Sequence, residues 1–173
     1  ITLMASKIIF ALAVLVVVRK VAAVVINHVI HVAVLDSYLG KQEIREERWS
    51  QFEILKNQQF ECRRLALNKS GIHYDAFAIE HETTKGNGQW VIMAGGNGWI
   101  GEFALEEHVP QFKDLGFNVL YVNGAAVGDS SGFPTSYSMG AGQEAGLQFL
   151  EKVINAEKIL LYGTSLGGGA QAE

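Results

Sequence analysis

The sequence predicts an α/β fold in which an antiparallel lead hairpin is followed by parallel strands, with a hydrophobic helix at the N-terminus. Two stretches, Arg63–Leu67 and the alternating Ile72–Ile79, flank the turn residues Asn68-Lys69-Ser70-Gly71, which is the pattern of a hairpin. Three later apolar runs, Gln89–Ala94, Phe117–Val122 and Ile159–Tyr162, are separated by stretches long enough for helices. That alternation implies a parallel sheet joined by right-handed crossovers. The last run ends in Gly163-Thr164-Ser165-Leu166-Gly167 and flows into small residues that can begin a helix.

Composition bounds the rest. A chain of 173 residues with 49% hydrophobic residues, 19 glycines and two prolines suits one globular domain with a real core. A net charge of -4 gives no electrostatic case for nucleic acid. Cys62 is the single cysteine, so no intrachain disulfide framework or cysteine metal cluster is available, and no cofactor or metal is implied.

Three segments follow from the pattern: 1–40 hydrophobic, 41–59 charged, and 60–173 globular. In the first, Ile8–Val18 is uninterruptedly apolar and Val21–Leu35 carries only Asn27, His28, His31 among apolar neighbours. Three readings of residues 8–35 stand. A bilayer span takes about 20 apolar residues, and Arg19-Lys20 at its centre would cost roughly 2.5–3.5 kcal/mol each. A secretory signal from Met4, with Lys7 as its basic end and Val21-Ala22-Ala23 as the cleavage site, would leave another greasy terminus. A segment that seats on or anchors to a membrane is favoured, because a helix apolar over most of its surface must be buried in protein or lipid. His28 and His31 are spaced to share a metal on a helix, but no third ligand stands nearby, and a polar stripe is the simpler reading.

From Lys41 to about Leu55, Ile44, Phe52 and Leu55 recur at helical spacing among mixed charges, which predicts an exposed linking helix with a solvated face. His73 and His81 are expected on the exposed face of the hairpin. A helix is predicted over Gly101–Leu115, kinked or split at Pro110 and capped by Gly116. Another is predicted from about Ser138 to Ile154, weakened by Gly140, Gly142 and Gly146.

Gly163–Gly167 has the form of a nucleophile elbow, in which a strand turns sharply into a helix and presents a serine at the apex. With Gly95-Gly96-Asn97-Gly98 after one strand and Asn123–Pro134 after the next, the chain from about residue 60 resembles the first half of the α/β-hydrolase superfamily. It is also similar to the chlamydial CHLPS branch. The resemblance implies Ser165 as nucleophile, with the backbone N–H groups of Leu166 and Asn97 as oxyanion donors, acting on an ester or other acyl substrate. Ala125 stands where the related loop pattern carries arginine, so any bracing by that arginine is lost or comes from elsewhere.

The resemblance also places the acid and histidine after the serine, and Leu166–Glu173 contain neither histidine nor aspartate. Of the earlier histidines, only His108 falls near that end of the sheet, and a solvated helix position is expected for it. The expectation is therefore the nucleophile and oxyanion half of a serine hydrolase, inactive as these residues alone. The alternative is a non-catalytic, membrane-associated remnant or interaction module. In either case Ile159–Tyr162 is expected at an apolar sheet edge open to a partner strand.

Overall fold

The computed structural model describes residues 14, 17–22, 41–95, 105–164 and 167–169. It forms a three-layer α/β/α arrangement around a five-stranded sheet of order β1-β2-β4-β3-β5. The strands are β1 (Phe60–Lys69), β2 (Ile72–His81), β3 (Gln89–Ala94), β4 (Asn118–Val122) and β5 (Lys158–Gly163). Three helices, α1 (Lys41–Asn57), α2 (Leu105–Asp114) and α3 (Ser136–Phe149), cover the faces, and α3 runs on into a π-helical turn, Leu150–Ile154.

The hairpin is as expected and longer. Lys69 pairs with Ile72, leaving Ser70-Gly71 as a two-residue turn with φ of 53° and 75°. Positive φ at both central residues matches the right-handed strand twist. β2 then runs antiparallel to β4, while β3 is parallel to both β4 and β5.

Each face of the sheet has its own core. Phe77, Ile79, Val91, Met93, Val119 and Tyr121 point toward Leu55 of α1 and Leu105 and Val109 of α2. Tyr74, Ala76, Ala78, Trp90, Ile92 and Leu120 point toward Ala141 and Ala145 of α3 and Leu150 beyond it. Both faces of β2 are therefore buried, and His81 is only 7% exposed, with its ring edge-on to Phe60 and its Nδ1 against Thr83. This corrects the exposed position expected for His81; His73 is half-buried. The period-2 pattern fits a sheet with one wet face, whereas here helices cover both.

Two helices differ from expectation. α2 is not split at Pro110: the helix continues through it, because the ring removes a single ladder bond, and buried Leu105 and Val109 hold the segment before it. Gly116, at φ 85°, ends it as expected, with the Phe117 N–H donating to the Phe112 carbonyl at 2.9 Å. α1 is docked on the sheet and is not an exposed linker: Leu55 is 0%, Arg48 6% and Gln51 7% exposed. Its charged residues split between a wet face and a buried one, a division that charge count alone does not reveal.

Most of the hydrophobic stretch 8–35 lies outside the described residues. Residues 17–22 are helical, with Val17, Val18 and Val21 each more than half exposed. No helix among the described residues is long and apolar enough to cross a membrane.

Candidate active site

The parallel strands β3, β4 and β5 all point their C-terminal ends the same way. Ser165, Leu166 and Asn97, the three residues the sequence nominates, lie outside the described residues, as does Trp99. The backbone on either side of Ser165 and Leu166 is described. β5 runs to Gly163, the Thr164 N–H donates to the Ala94 carbonyl at 3.2 Å, and Gly167–Gly169 are helical.

Glycine is required at both framing positions by contact with backbone. A methyl on Gly163 would lie 2.5 Å from the Gly167 carbonyl carbon and the Gly168 nitrogen. A methyl on Gly167 would overlap the Ala94 carbonyl oxygen and reach the Gly95 oxygen at 2.7 Å. Neither obstacle is a flexible side chain, so neither can move aside. The Gly167 N–H closes a tight turn to the Thr164 carbonyl at 3.0 Å. Strand end, turn and helix start thus pack directly on the exit of β3.

The loop leaving β4 is braced more heavily than the sequence suggested. Asn123 N–H donates to the Asp75 carbonyl at 3.0 Å, the Asp75 N–H to Ser130 Oγ at 2.9 Å, and the Ser131 N–H to the His73 carbonyl at 2.8 Å. Arg48 donates to Asp75 at 2.9 Å and lies 3.5 Å from Asp129. Arg64 donates to Asp75 at 2.6 Å and to Asp129 at 2.5 Å. Burial works against the Asp129 carboxylate, but the charges and hydrogen bonds of Arg64 and then Arg48 outweigh it and hold its pKa below the ordinary value. Position 125, arginine in the related loop pattern, is a fully buried Ala125, and the guanidinium groups that grip this loop come from α1 and β1.

None of Arg48, Gln51, Asp75 or Asp129 was nominated from sequence. A signal existed: Arg48 and Gln51 share the helical stripe of Phe52 and Leu55. His108 is half-buried, with its ring 5.9 Å from that of Tyr162 on β5, which corrects the solvated position expected for it. β5 brings Tyr162 over α2, and the contact sequesters one side of the imidazole. No group of three or more metal-ligating side chains occurs among the described residues.

The strand order, the antiparallel lead hairpin and the glycine-framed turn after β5 define the α/β-hydrolase fold. Solved structures agree. An α/β hydrolase of Vibrio vulnificus superposes with a TM-score of 0.59 at 18% identity, covering 71% of this chain and 42% of its own. The Pyrococcus furiosus esterase Pf2001 gives 0.54 at 21% identity, covering 66% and 46%. The chain therefore spans less than half the length of either protein. Residues 1–173 match the sequence model of the Chlamydia CHLPS protein (DUF818) family throughout, and the chain belongs to that family. No curated protein matches it significantly.

Proposed function

We propose that this chain carries the nucleophile half of an α/β-type serine hydrolase acting on esters or other acyl substrates. The observation that supports it best is the backbone packing of Gly163 on Gly167 and of Gly167 on Ala94-Gly95. A frame that tight, between a strand end and a helix start, is what a nucleophile elbow asks of the glycines on either side of its serine. Ser165 Oγ attacks the acyl carbonyl, and the proton passes to a base. Charge develops on the carbonyl oxygen, which the Leu166 and Asn97 N–H groups receive. Being an esterase is a property of the Pyrococcus protein, and it suggests the substrate class here. Residues 1–173 supply no histidine after Ser165, so by themselves they are expected to be inert, since an unassisted hydroxyl stays protonated.

A fluorophosphonate probe tests the reading. In a gene product that extends past residue 173, the probe labels Ser165 and Ser165→Ala abolishes labelling, while residues 1–173 expressed alone stay unlabelled. Labelling that survives Ser165→Ala, or none in the gene product, sinks it.

A second reading is favoured by exposed apolar surface: Leu160 and Leu161 on β5, and Val17, Val18 and Val21 before α1, are all more than a third exposed. In it the chain is a non-catalytic module that seats residues 8–35 on a membrane and offers β5 to a partner strand. Flotation with liposomes that is lost on deleting residues 1–40 supports the membrane contact; unchanged flotation refutes it.

A further inference from the structure

Helix α1 presents one continuous face, Arg48, Gln51, Phe52 and Leu55, at the spacing of successive helical turns. Leu55 is fully buried, and the Phe52 ring meets Phe77 edge-on with centroids 5.5 Å apart, which roots the helix in the core. Farther along the same face the contacts become polar and specific. Gln51 Oε1 accepts the backbone N–H of Glu106 at 3.1 Å, and its Nε2 faces Glu106 Oε2 at 3.4 Å. Glu106 lies in the first described turn of α2, so a side chain of α1 holds the helix that follows β3 by its backbone.

One turn away, Arg48 spreads over Phe77 at 5.0 Å from the ring centroid and forks between Asp75 and Asp129. Asp75 borders Asn123 at the end of β4, and Asp129 belongs to the loop that leaves it. A single helical face thus touches both α2 and the segment leaving β4. Neither contact is a generic apolar one; each satisfies a named polar group.

We infer that α1 belongs to the scaffold of the site, with Arg48 and Gln51 as positioning residues that set the loop after β4 and the start of α2. What they position is a catalytic site only if the hydrolase reading holds, whereas the positioning itself is read without turnover.

Amide hydrogen exchange on the intact chain tests it. In Arg48→Met, the amides of Ala126, Ser130 and Ser131 exchange about tenfold faster or more, while Val91 and Leu120 in the sheet keep their protection. In Gln51→Leu, the Glu106 amide accelerates by about tenfold and the loop after β4 does not change. If Arg48→Met fails to fold, Arg48→Lys takes its place, since lysine keeps the charge but loses the fork to two carboxylates. No acceleration at these amides, or equal acceleration at Val91 and Leu120, overturns the inference. The exchange pattern decides this whether or not Ser165 takes the probe, so the two readings fail separately.

Discussion

Gly142 of α3 lies so close to Tyr74 of β2 that a methyl on it would sit 2.9 Å from two carbons of the ring. Tyr74 is fully buried and its hydroxyl donates to the Ser138 carbonyl at 2.7 Å, so the ring is held in place from the next helical turn. Gly→Ala inside a helix ordinarily stabilises by about 1 kcal/mol. Here the sign reverses: Gly142→Ala is expected to destabilise by roughly 1–3 kcal/mol through overpacking. Urea unfolding of the two proteins checks it, and a stabilised variant would contradict the packing described.

That site shows what the sequence conveyed and what it withheld. The glycines of α3 were legible as poor helix formers, yet their use is tertiary: Gly142 admits Tyr74 and Gly146 admits Val122. The hairpin and the succession of strands were readable because Tyr74, Ala76 and Ala78 alternate and because Gly163–Gly167 punctuates the last strand. The docking of α1 was readable only as a stripe of Arg48, Gln51, Phe52 and Leu55, and the partners of that stripe were not. Burial of Arg48 depends on Asp75 and Asp129, which lie 27 and 81 residues away in the chain, and no local pattern announces such a pairing.

Substituting the framing glycines separates backbone from side-chain contacts. Gly167→Ala is expected to cost about 2 kcal/mol or more and to abolish probe labelling of Ser165, since its methyl strikes the Ala94 and Gly95 backbone. Gly169→Ala, with nothing within 4 Å, is expected to be neutral or mildly stabilising. Thermal melts and probe labelling on the pair read both effects.

Cys62 offers a probe of the core beneath α1. Burial, with a smaller contribution from the neighbouring Glu61, pushes its thiol up to about 12. At pH 8 iodoacetamide should therefore alkylate the native protein roughly a hundredfold or more slowly than the chain in urea, because only the thiolate reacts. Comparable rates would show that the packing around Cys62 opens readily.

Acid should loosen the loop after β4. The folded pKa of Asp129 lies below its ordinary 3.8 because Arg64 and Arg48 overcome the opposing effect of burial. A lowered carboxylate pKa contributes stability that is present above the unfolded value and is lost as pH falls through the folded one. Between pH 5 and about 3 the unmodified protein should thus lose stability more steeply than Asp129→Asn. Parallel slopes in urea titrations would remove Asp129 from the account.

Strand order carries a consequence for synthesis. β3 sits between β4 and β5, both encoded after it, while β1 and β2 can zip together as soon as they are made. Until residue 122 has emerged from the ribosome, Trp90–Ala94 has no neighbour to hydrogen-bond, and until residue 163 it has only one. A strand that is fully buried from Trp90 to Ala94 in the folded sheet therefore spends the longest time exposed, and a nascent chain of this sequence is a natural client for holding chaperones.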